Sequence, residues 1–171
     1  MGSNRVRTII AIGVIFSLLL VALTVAENKK PDIAQPVSVE APAHLPKRLD
    51  GIELLVNAER EARGNPAFRL NAQLNHSAMA KAEHMVDVGY WDHVAPDGTT
   101  AWDFINQAGY QYQHAGENLG KCHETHQALV KAWVDSPTHL ANIEDDYTEF
   151  GFGYAYRPDG CMIVVNHFGR P

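Results

Sequence analysis

Glu-Phe-Gly-Phe-Gly-Tyr-Ala-Tyr (149–156), Arg-Pro-Asp-Gly (157–160) and Cys-Met-Ile-Val-Val-Asn-His-Phe (161–168) read in succession as strand, turn and strand. The flanks are rich in aromatic and β-branched residues. Between them, Pro158 and Gly160 stand where a tight hairpin wants a fixed φ and a permissive backbone. A third strand is predicted near Tyr110 to Leu119. Most of the rest of the folded part has helical period. Asp50 can cap a first helix with the apolar stripe Ile52, Leu55 and Val56, ending near Gly64. Asn71 can cap a second, with Leu74, Ala78, Ala82, Met85 and Val86 on one face and Gly89 as its stop. Thr100 and Asp103 form a capping-box pattern that opens a third helix burying Trp102 and Ile105 and ending at Gly109. Thr125 opens a fourth, with Leu129, Ala132 and Trp133 inward, and Ser136-Pro137 starts a short fifth with serine as cap and proline in the first turn. Helices followed by antiparallel strands predict an α+β domain with helices on both sides of a small antiparallel sheet of about three strands.

The first 49 residues have a different character. Residues 8–26 carry no charge, and about 20 apolar residues suffice to span a bilayer as a helix. Arg5 and Arg7 precede the run and place residues 1–7 in the cytoplasm, although Lys29 and Lys30 on the far side oppose this. The reading is a single-pass signal anchor in the cytoplasmic membrane with the C-terminal domain outside. Thr24-Val25-Ala26 offers a signal-peptide cleavage site, and cleavage there would make the protein secreted. Residues 27–49 contain Pro31, Pro36, Pro42 and Pro46, a semi-extended linker that reaches about 70 Å at ~3.1 Å per residue. The folded domain is assigned to residues 50–171.

Charge narrows the function. Of 171 residues, 14 are Lys or Arg and 20 are Asp or Glu. All the acidic residues lie beyond residue 26, which leaves no basic footprint for a phosphate backbone, so nucleic acid is not an expected partner. Cys122 and Cys161 are the only cysteines, and a pair in an exported domain predicts one disulfide.

Three polar residues sit in phrases shaped by glycine or proline, the composition of loops that aim side chains at a site. They are His93 in Trp-Asp-His-Val-Ala-Pro-Asp-Gly (91–98), Glu117 in Ala-Gly-Glu-Asn-Leu-Gly (115–120) and His139 in Ser-Pro-Thr-His-Leu-Ala-Asn-Ile (136–143). Two imidazoles and a carboxylate suit zinc or another divalent cation. A hydrogen-bonded cluster that ties loops to the sheet would use the same residues. Ser136 near His139 invites a nucleophile–base reading, but its capping role already accounts for it. Cys122-His123-Glu124-Thr125-His126 lacks the second cysteine of a haem site. His114 is a candidate base if its strand turns it inward. His76 and His84 fall on a solvated flank of the second helix, and Trp91, Trp102 and Trp133 are expected in the core, with Trp91 a candidate wall of the cleft.

These phrases, taken in order, resemble the bacterial SCP-like branch of the CAP superfamily, the cysteine-rich secretory, antigen 5 and pathogenesis-related 1 proteins. The resemblance rests on Asn57 and Arg60, His-x-x-Pro-Asp-Gly (93–98), Ala-Gly-Tyr (108–110), Gly-Glu-Asn (116–118), Trp-x-x-Ser-Pro-x-His (133–139) and Phe168-Gly169. It covers roughly Gly51 to Gly169. It implies an α-β-α sandwich with a cleft where His93, Glu117 and His139 converge. The second glutamate of eukaryotic relatives has no counterpart here, which leaves a triad. Phe104 and Leu140 stand where the bacterial pattern usually has arginine, which makes anions poorer ligands of the rim. The expected function is an extracytoplasmic binding or scaffold module, monomeric, taking a small ligand, a divalent cation or an envelope component. A metal-dependent hydrolase and a purely structural protein are the alternatives. No catalytic residue is assigned.

Overall fold

A computed structural model describes residues 51–171. The anchor, linker and Asp50 cap predicted above lie outside the described residues. Among the described residues no helix is long and apolar enough to cross a membrane.

The first helix, α1 (Ile52–Ala62), starts at Gly51, whose φ of 100° is left-handed and whose N–H is taken by the Glu53 carboxylate at 3.1 Å. Strand β1 (Arg69–Leu70) follows. Helix α2 (Ala72–Val88) is capped as expected, the Asn71 side chain accepting from the N–H groups of Gln73 and Leu74, and it stops at left-handed Gly89. Helix α3 (Ala101–Gln107) has the full capping box of Thr100 and Asp103. Strand β2 (His114–Lys121), α4 (His126–Asp135), α5 (Pro137–Glu144), β3 (Glu149–Tyr156) and β4 (Met162–Arg170) complete the order.

The sheet has four strands in the order β1-β3-β4-β2. β2 and β3 both pair antiparallel with β4, whereas β1 runs parallel to β3. The sheet is therefore mixed, one strand wider than the sequence predicted. Two residues are too few to show a period-2 pattern, so β1 left no readable signal.

The strands alternate between two apolar layers. Met162, Val164 and Phe168 join α1, α4 and α5 in one core with Ile52, Val56, Leu129, Trp133 and Ile143. Ile163 and Val165 face the other way and pack with Ala78, Ala82 and Met85 of α2. Helix α2 can approach this closely because β3 presents Gly151 and Gly153 to it. A Cβ on Gly151 would stand 2.2 Å from Asn75 N, and one on Gly153 would stand 2.0 Å from Met79 N.

Two packing expectations need correction. Trp102 is exposed, and Ala101, Phe104 and Ile105 are the buried residues of α3. A seven-residue helix buries a narrow stripe, and Ala101, Phe104 and Ile105 occupy it. Ser136 makes no side-chain cap bond; its hydroxyl lies 3.3 Å from that of Thr138, and only its carbonyl joins the helix, accepting from Leu140 N–H at 2.8 Å.

Candidate functional site

β2 is an edge strand, and the site is assembled around its middle. Glu117 stands directly opposite His167 of β4, and Asn118 opposite Asn166. Successive side chains leave a strand on opposite faces, so Glu117 faces the α2 layer and Asn118 the α5 layer. Asn118 donates to the carbonyl of His139 at 3.0 Å, and Asn142 of α5 donates to the Glu117 carbonyl at 3.1 Å and to Asn118 Oδ1 at 2.8 Å. These bonds seat α5 on the edge strand.

His93 comes from the loop between α2 and α3. Pro96-Asp97-Gly98 folds that loop into a turn closed by Gly98 N–H donating to the Ala95 carbonyl at 2.9 Å, and Val94 bridges Thr100. Lys81 of α2 is fully buried and donates from Nζ to the His93 carbonyl at 2.8 Å. Its ammonium also lies over the rings of Tyr90 and Phe104, at 5.3 and 5.4 Å from their centroids. Burial lowers the Lys81 pKa, against the pull of Glu117, Asp92 and Asp97.

The imidazole of His93 meets the buried carboxylate of Glu117, Nδ1 to Oε1, at 2.7 Å. The other oxygen, Oε2, lies 3.1 Å from His167 Nε2. Burial alone would raise the Glu117 pKa; the bonds from His167 and His93, with Lys81 nearby, outweigh it and hold the carboxyl below its usual range. The Glu117 bond raises the His93 pKa, opposed by partial burial. His93, Glu117, Thr100, Trp102, Asn142 and Tyr147 line a cavity of about 340 Å³.

The three sequence-predicted residues thus divide. His93 and Glu117 are bonded to each other. His139 lies in the first turn of α5, outside the wall of that cavity, and close enough to His93 that burial first and then the His93 charge lower its pKa. One ligand atom from each of the three does not gather within 4.8 Å; among the described residues that condition is met by His114, Asp145 and Asp146. His114 is therefore not a base beside Glu117. Its Nε2 pairs with Asp145 at 3.1 Å, and its ring stacks on Tyr147 at 4.5 Å. Arg170 neutralises Asp146 from 3.6 Å.

Sequence reasoning missed His167, Ser77 and Lys81. A signal existed for His167: it continues the inward series Ile163, Val165 on β4, where a lone polar residue on an apolar face must find a partner. Thr125 does cap α4, accepting from Ala128 N–H at 3.0 Å. The disulfide Cys122–Cys161 is formed, with Cα atoms 4.6 Å apart. Trp133 is buried and donates to the Leu119 carbonyl at 2.8 Å. Trp91, expected in the core and as a wall of the cleft, is instead exposed under the Lys121 ammonium and does not line the cavity.

The model of the cysteine-rich secretory protein family, CAP, matches residues 54–168. The chain belongs to this family. YkwD of Bacillus subtilis is 33% identical over 130 residues, which are 74% of this chain and 51% of YkwD. The chain thus spans about half the length of that CAP relative, and less of the membrane protein YlbC from the same organism (27% identity, 58% of this chain and 29% of YlbC). Among solved structures, an extracellular SCP-domain protein of Bacillus anthracis superposes with a TM-score of 0.64 at 25% identity, over 71% of this chain and 40% of that one. An outer surface protein of Borrelia burgdorferi shares the fold with a TM-score of 0.65 at 20% identity, over 71% and 90%. The domain is a CAP domain of the bacterial SCP type.

Proposed function

We propose that this CAP domain is an extracytoplasmic binding module that takes a small polar ligand or a divalent cation through His93, on the cavity wall, and His139, beside it at the start of α5, with Glu117 as the carboxylate that sets His93. The observation that carries this reading is the His93–Glu117 bond at the mouth of a cavity. A carboxylate that receives Nδ1–H fixes the ring and its tautomer, and leaves Nε2 as a basic lone pair, the arrangement found behind metal-bound histidines. The donor set fits zinc in type: two imidazoles, one oriented by a carboxylate. Both oxygens of Glu117 are already committed to imidazoles, so the fit is to Glu117 as orienting group more than as direct ligand. A bound cation would polarise whatever shares its coordination sphere; His93 and His139 would hold it.

The hydrolase alternative draws less support. A hydrolytic site needs a separate proton acceptor near the attacking water, and His114, the candidate, is engaged by Asp145. The extracellular relative in Bacillus anthracis supports action outside the cytoplasm, as does the disulfide. The anchor in residues 8–26, the envelope partner and the monomeric state remain parts of this proposal.

Calorimetric titration of the full chain with Zn²⁺ at neutral pH tests it. Wild type should bind, His93→Ala and His139→Ala should lose the heat, and Glu117→Gln should bind about 10–100-fold more weakly. Absence of heat and of thermal stabilisation in the wild type would remove the cation reading. A thermal-shift screen of small polar envelope fragments then decides between a ligand cleft and a cluster that only ties loops together.

A further inference from the structure

His167 is fully buried and enters the proposed binding site only as the second imidazole on the Glu117 carboxylate. Because it faces Glu117 across the β2–β4 ladder, the two side chains leave the sheet on the same side. That side is covered by α2, drawn in by Gly151 and Gly153. Ser77 of α2 thereby meets His167 Nδ1 at 2.8 Å. A continuous series of bonds runs from Ser77 through His167 and Glu117 to His93, from a hydroxyl with no exposure to an imidazole that is half exposed.

Serine, histidine and glutamate in this order could form a hydrolytic triad, but the geometry rules that out. Ser77 is 0% exposed, and its Oγ also donates to the Leu74 carbonyl at 2.9 Å, so no substrate carbonyl can reach it. The proton count gives the series another role. Ser77 has one hydroxyl proton, and it can serve Leu74 or His167 Nδ1. In either arrangement His167 Nε2 must carry a proton to face an ionised carboxylate at 3.1 Å. Glu117 is then clamped from both sides, Oε2 by His167 and Oε1 by His93. A buried carboxylate oxygen left without its donor is costly, so losing His167 would turn the carboxyl away from the geometry that fixes His93.

We propose that His167, backed by Ser77, is a positioning residue for the CAP cleft: it holds Glu117 in the orientation from which Oε1 keeps His93 protonated at Nδ1 and unprotonated at Nε2. Only its consequence for affinity rests on the binding reading; the tautomer itself can be read without any ligand.

The test is nitrogen-15 NMR of the His93 ring in the full chain, with His167→Gln and His167→Asn compared. Glutamine places its amide near Nε2 and keeps the donor to Glu117; asparagine places it near Nδ1 and loses that donor. At a pH above the raised His93 value, where the ring is neutral, wild type and H167Q should show a protonated-type Nδ1 and an unprotonated-type Nε2 at His93. H167N should lose that pattern toward a mixture of tautomers. Equal patterns in all three proteins, or equal loss in both variants, would overturn the proposal. If neither His167 variant folds, Ser77→Ala is read the same way: a shift of the His93 nitrogens toward the mixed pattern supports the role, and unchanged nitrogens refute it. Zn²⁺ titration separates this from the binding reading. H167N should weaken binding about 10–100-fold. A wild type that binds no Zn²⁺ while its His93 pattern depends on His167 would sink the cation reading and leave this inference standing.

Discussion

At the cleft, Glu117 is held below the ordinary carboxyl range, so its contribution to stability is present above the unfolded value of about 4.3 and is lost as pH falls through the lower native value. His93 has the opposite sign. Its pKa is raised, so its contribution is present below about 6.5 and is lost as pH rises through the raised native value. The pair acts at full strength between about pH 4.3 and 6.5. The melting temperature of the wild type should therefore exceed that of Glu117→Gln by most within this interval, with the difference shrinking on both sides. A difference that stays flat across it, or grows above it, would mean that the His93–Glu117 bond contributes no charge-dependent stability. His93 is half exposed, so solvent screening limits the size of the effect.

At the scale of elements, two helix starts that look alike in sequence behave differently. Thr125 caps α4 with its side chain, whereas Ser136 does not cap α5. Thr125→Ala should cost about 1 kcal/mol, and Ser136→Ala should stay within about 0.5 kcal/mol; equal losses in chemical denaturation would contradict the capping geometry. The contact of α2 with β3 makes a sharper case. Gly153→Ala would drive a Cβ into the α2 backbone, which cannot rotate aside, and should destabilise by roughly 1–3 kcal/mol or more. Gly-Phe-Gly (151–153) reads in sequence only as a strand weakened by glycine. What the glycines are for depends on which helix lies over them, and local patterning cannot tell. The same limit separates the rest of what is legible in the sequence from what is not. The side-chain caps of α2, α3 and α4, the stripe of α2 and the hairpin depend on neighbours in sequence, and the sequence shows them. β1, the partners of Glu117 and the outward turn of Trp102 depend on residues tens of positions away. His93 and Glu117 stand out because the segments carrying them need glycine and proline, while His167, on a regular strand, has only its polarity to mark it.

For the whole molecule, the question is what keeps the domain folded, and the structure offers three candidates: the two apolar layers, the disulfide and any bound metal. The layers are continuous, with Trp133, Phe150, Phe168, Ile52 and Leu129 fully buried on one side of the sheet and Met85, Val165 and Ala82 on the other. A domain of this size carries a core sufficient for folding without metal. The bond between Cys122 and Cys161 closes a loop of 39 residues, worth about 4 kcal/mol in the chain-entropy model. It ties the end of β2, just after the Glu117 segment, to the start of β4, which carries His167, so it also secures the ladder on which both site residues sit. Reduction should therefore lower the melting temperature of the full chain by on the order of 10 °C, whereas a chelator should leave it unchanged apart from the stabilisation any added Zn²⁺ had supplied. Melting curves with reductant, with chelator and with both separate the contributions. Unfolding by chelator alone would make the metal structural and overturn this assignment. No change on reduction, with both thiols shown by titration to be free, would mean that the layers alone hold the ladder.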